Sequence, residues 1–240
     1  MAPIIKVSKN TLEGLDKFGI KYELINDLEK SLSKSVKKDD YWTIEGVPYD
    51  GETRTCFLLK EMLPRMNYAE MTEHYIQAKA NDEFHAEDMP TNYAVMKTIR
   101  HSKHSDKEEI RNFLQSSMRT SFPSTLTQAI YDKQEKFVHK EGIPNEEYEK
   151  EVKIWGSDRI LEKGDSKMLN GLVLTNDVEE VRDVLDWINK TPVYVWRKNK
   201  ESFSQDKRVA RFSAFSGRVG FYLFRYPVDQ CPSFGYKWEK

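Results

Sequence analysis

A chain of 240 residues, 38% hydrophobic and 32% charged, is long enough to bury a sizeable core as one large domain or two small ones, and 12% aromatic content excludes a disordered chain. A net charge of -1 excludes wholesale electrostatic affinity for nucleic acid, and two distant cysteines, Cys56 and Cys231, exclude a disulfide framework or a CxxC zinc site. No stretch approaches the ~18 apolar residues of a membrane span, and "MAPIIKVSKNTLEGL" lacks the apolar core of a secretory leader, so the expectation is a soluble cytoplasmic protein without a membrane partner.

In chain order, "IIKVS" is a short β-branched segment, followed by Leu12, Leu15, Phe18, Leu24, Ile25, Leu28 and Leu32 at helical spacing. A strand and two helices is the order of ribbon-helix-helix DNA readers, but the gap around Gly19 is cramped and the segment is not strongly basic. A helical layer is the simpler reading. The stretch "YWTIEGVPYDGET" from Tyr41 reads as a loop because Gly46, Pro48 and Gly51 punctuate it. Helices are then expected from Phe57 to Leu63, Asn67 to Ala80, Thr91 to Arg100 and Ser105 to Met118. The second of these opens on an Asn67–Glu70 capping pattern and the last on a Ser105–Glu108 capping box.

After Pro123 the period changes from helical to alternating. "TLTQAIYDKQEKFVHK" predicts two strands around a polar turn, and "YEKEVKIW" a third. Asn176 to Lys190 predicts an amphipathic helix, with Val178, Val181, Val184, Leu185 and Ile188 on one face and acidic residues in its first turn. "VYVW" then opens a β-rich tail. The fold class predicted is α+β: a mainly helical lobe over residues 1–120, closely packed on a mixed lobe over 121–240. The latter carries an antiparallel sheet, one crossing helix and a terminal basic, aromatic β-hairpin.

Charge is uneven along the chain. From residue 193 onward ten Lys and Arg face four acidic residues, a balance of +6, which with the net -1 leaves -7 for the rest. Within that tail, "RVARFSAFSGRVGFYLFRYP" interleaves Arg208, Arg211, Arg218 and Arg225 with large aromatics around a Ser216–Gly217 turn. Alternation sends Val219, Phe221 and Leu223 to a core face, and Arg218, Tyr222, Phe224 and Tyr226 to the other. Rings that stack and guanidiniums that neutralise phosphate are what a single-stranded nucleic-acid platform needs. "GFYLFRY" lacks the small residue of the RNP1 pattern between its aromatics, so an RNA-recognition motif is excluded.

Two functional readings follow. The first is a non-enzymatic binding or adaptor protein that needs no cofactor. Its partner is anionic, a single-stranded nucleic acid or an acidic protein surface, contacted by Arg208, Arg211, Arg218, Tyr222, Phe224 and Arg225. The alternative is a metal-dependent hydrolase or nuclease. There His74, His85, His101 and His104, clustered among Asp82, Glu83, Glu87, Asp88 and Asp106, would hold a divalent transition metal, since imidazole and carboxylate are its usual ligands. A weaker pattern for the same class is Asp132 followed by Glu151 and Lys153, acids for an ion and a lysine for water. The chain contains no HExxH, P-loop, GxGxxG or GxSxG motif.

Overall fold

A computed structural model of the chain describes residues 36–49, 51–131, 135–140, 149–152, 159–197 and 206–239, with 149–152 described by backbone alone. The strand and helices expected between Ile4 and Leu32 lie outside the described residues. The first described strands fall where the sequence predicts a loop and then a helix. β1 (Tyr41–Tyr49) and β2 (Glu52–Leu59) form an antiparallel hairpin, and β10 (Tyr236–Trp238) pairs with the free edge of β2.

The three breakers each have a place in that hairpin. Gly46, at φ +76°, lies in the bulge where the register shifts between Ile44 and Val47, and Gly51, at φ +79°, makes the turn. Pro48 sits on β1, an edge strand, where a missing N–H can face away from the ladder. The run "CFLL" is apolar because β2 is the central strand, with Cys56 and Leu58 fully buried.

The helices follow their sequence signals more closely. In α1 (Tyr68–Asn81) Asn67 and Glu70 cap each other reciprocally, with bonds of 3.0 and 2.9 Å. In α2 (Met89–His101) Asp88 accepts from the Thr91 N–H at 2.9 Å. α3 (Lys107–Thr120) buries Ile110, Leu114, Ser117 and Met118, but the capping box expected at Ser105 is absent. Asp106 takes the cap position, the helix begins at Lys107, and the Ser105 hydroxyl donates to the Asp106 carboxylate instead. α4 (Ser166–Val173) carries no strong sequence signal, whereas α5 (Val178–Asn189) has the predicted buried face and an Asp177 cap on Glu180 N–H.

Among the described residues the second sheet has seven strands: β3 (Ser124–Tyr131), β4 (Glu135–His139), β5 (Glu149–Val152), β6 (Arg159–Ile160), β7 (Val193–Trp196), β8 (Asp206–Phe215) and β9 (Arg218–Arg225), in the order β5-β4-β3-β8-β9-β7-β6. Every pairing is antiparallel except β7 with β9. One face enters the core: Val193 and Val195 of β7, Ala210, Phe212 and Ala214 of β8, and Val219, Phe221 and Leu223 of β9. α3 packs against β8, and α5 packs against β9 and β7. α2 contacts both β1 and β3, so one helix joins the two sheets. The molecule is thus mixed α+β, and its first 120 residues include a β-hairpin as well as helices. No helix among the described residues is long and apolar enough to cross a membrane.

A candidate binding face on the large sheet

Side chains that alternate away from the core on β7, β8 and β9 form a surface of rings and guanidiniums. Register sets the first row: Tyr222 pairs with Trp196 on one side and with Arg211 on the other. A second row places Tyr194 and Ser213 beside Gly220, and Phe215 pairs with Arg218 at the hairpin end. The Trp196 ring touches Tyr194, Phe215 and Tyr222 at centroid distances of 4.8, 5.5 and 6.2 Å, and Tyr222 meets Phe224 at 5.7 Å. Phe122 joins from the end of α3. Its left-handed backbone, φ +52°, turns the chain so that its ring lies 5.5 Å from Phe215.

Over these rings lie the arginines. The Arg211 guanidinium carbon is 4.2 Å from the Tyr222 centroid and 5.0 Å from Phe122, and Arg218 is 4.4 Å from Tyr194. Neither has an acidic partner among the described residues. Phe215, 43% exposed, opens the face to solvent, while Tyr222 and Phe224 are half-buried. Two buried polar atoms of this layer, Ser213 Oγ and Arg211 Nε, have no hydrogen-bond partner among the described residues.

The other two arginines expected at this surface are placed differently. Arg225 is 2% exposed. Its Nη1 donates to Ser124 Oγ at 2.6 Å and its Nη2 to the Met66 carbonyl at 3.0 Å, so it ties β3 to the segment before α1. Arg208 forks onto Asp206 at 2.6 and 3.1 Å and stacks on Tyr226 at 3.5 Å. Both charges are engaged within the fold. Sequence reading omits Tyr194, Trp196, Phe215 and Phe122 from this face. Alternation in "VYVW" could have supplied the first two.

Gly220 holds β7 against β9. A Cβ there would lie 1.9 Å from the Tyr194 carbonyl oxygen, so the parallel pairing that brings Tyr194 and Trp196 beside Tyr222 requires glycine.

The histidines do not gather. His101 ends α2 and is exposed, while His104 Nε2 bonds the Thr43 carbonyl at 2.9 Å. His74 and His85 are buried near each other, where burial first and His85 second lower the His74 pKa. Among the described residues no group of three or more His, Cys, Asp and Glu is placed to hold a metal ion. Asp132 and Lys153 lie outside the described residues, as does the Glu151 side chain.

His85 belongs instead to a buried charge network. Glu87, 1% exposed, accepts from Trp238 Nε1 at 2.9 Å and contacts His85 Nε2 at 3.2 Å through Oε1, while its Oε2 lies 2.9 Å from Lys140 Nζ. Lys140 is 2% exposed, 3.6 Å from Asp88 Oδ2, and its ammonium lies 4.9 Å from the Tyr49 ring. Burial opposes charge on both partners. Their mutual attraction outweighs it, so the Glu87 carboxyl is held well below the usual range, and Asp88 and Glu87 hold the Lys140 ammonium well above its own.

No protein-family model matches this chain, and neither a curated protein nor a solved structure matches it.

Proposed function

We propose that this chain is a binding protein whose outer face on β7, β8 and β9 takes an anionic partner. The observation that carries the reading is the state of Arg211 and Arg218: two guanidiniums supported by rings, on a face open at Phe215, with no carboxylate among the described residues to neutralise them. Stacking fixes the plane of a guanidinium and leaves its N–H edge for a ligand.

The test is fluorescence anisotropy of labelled polyanions over a salt series: polyphosphate, poly-glutamate and a short single-stranded oligonucleotide. Binding of at least one probe should fall log-linearly with salt, and the double variant R211Q/R218Q should lose it while keeping the native circular dichroism spectrum. No binding at low salt, or binding that the double variant retains, refutes the reading.

A further inference from the structure

We infer that the partner is single-stranded nucleic acid, held by base stacking on the rings as much as by phosphate contact. The inference rests on the binding face proposed above and deepens it. The balance of groups on the face separates it from other polyanions. Six rings, Phe122, Tyr194, Trp196, Phe215, Tyr222 and Phe224, accompany only two arginines without acidic partners among the described residues. An acidic peptide or polyphosphate offers dense charge and little flat apolar surface, and would leave the rings unused. A single strand offers one charge per flat heterocycle, which suits a face where rings outnumber cations.

Dimensions agree. Three adjacent strands span about 10 Å, and the stretch from Gly220 to Phe224 covers about 13 Å, a footprint for two to three bases. Phe215, 43% exposed at the hairpin end, is the ring most open to a first base, with Trp196 beside it at 5.5 Å. Arg211 lies across the face on β8 and Arg218 beside Phe215 on β9, so phosphates on either side of the stacked bases meet a guanidinium. A duplex hides its base faces in the stack, so the same face should discriminate against it.

The experiment is competition for the intact protein at one salt concentration between a short labelled oligothymidylate, an abasic strand of the same length and charge, a duplex of the same length, and polyphosphate. The oligothymidylate should bind at least tenfold tighter than the abasic strand. F215A, which removes an exposed ring, should reduce that advantage without loss of fold, and W196F, which keeps a ring, should largely retain it. Equal affinity for the abasic strand, the duplex and polyphosphate, all lost in R211Q/R218Q, would overturn stacking while leaving the anionic-partner reading intact. If neither these probes nor poly-glutamate binds, both fail.

Discussion

A buried set of charges and a set on the outer sheet face are handled in opposite ways in this molecule. Around Lys140 every charge meets its opposite: Glu87 at 2.9 Å, Asp88 at 3.6 Å, with His85 and Trp238 on the remaining carboxylate oxygen of Glu87. On the outer sheet face Arg211 and Arg218 meet rings and, among the described residues, no acid. The first arrangement satisfies what burial demands, because an unpaired ion in the interior is not tolerated. The second leaves charge in reserve. Lys140 also has a left-handed backbone, φ +52°, a conformation costing a non-glycine residue about 1 to 2 kcal/mol, which the network must offset.

The largest expected effect tests that contrast directly. Lys140→Met leaves Glu87 and Asp88 buried without their ammonium, and should cost about 3 to 5 kcal/mol of stability by urea denaturation. Arg211→Gln loses only stacking on Tyr222 and Phe122, and should cost about 1 kcal/mol or less. Equal losses at the two sites would mean that Arg211 is a structural group and that the sheet face holds nothing in reserve. Next in size is Gly220→Ala. The added Cβ collides with the Tyr194 carbonyl, so β7 must move off β9, at about 3 kcal/mol or more. If this substitution proves neutral, β7 can shift freely, and the rings of Tyr194 and Trp196 are not fixed beside Tyr222.

Much of the fold is legible where a local signal fixes it. The Asn67–Glu70 pair caps α1, the acidic first turn and apolar stripe specify α5, and Ser216–Gly217 turns β8 into β9. The β1–β2 hairpin is illegible for a physical reason. Glycine serves a bulge, a turn and a loop equally well, and only the pairing of β2 with β10, from the far end of the chain, distinguishes them. The face itself is half legible. Alternation sets Arg218, Tyr222 and Phe224 opposite Val219, Phe221, Leu223 and Arg225, yet nothing in "RVARFSAFSGRVGFYLFRYP" shows what Arg225 bonds on the core side. Arg225 finds Ser124 and Met66, residues far upstream, and Trp196 reaches the face only through the parallel pairing of β7 with β9.

The smallest effect separates the two regions by pH. His74 is 7% exposed with Nδ1 unpartnered among the described residues, and burial together with nearby His85 places its pKa below the ordinary 6.5. The unfolded chain therefore binds this proton first. Stability is lost as pH falls below 6.5 towards the lowered folded value, with a slope of at most about 1.4 kcal/mol per pH unit for one proton. Glu87 acts lower on the scale: its folded pKa is depressed, so its contribution is present above 4.5 and disappears only as pH falls below that. Denaturant midpoints between about pH 7 and 5 should therefore decline gently, and His74→Gln should flatten that decline without altering the steeper loss below 4.5. Arginine and phosphodiester do not titrate in this interval. Oligothymidylate affinity measured at constant ionic strength should stay level from about pH 7 to 5 while stability falls, and a parallel decline of the two would tie the sheet face to the histidine-bearing interior.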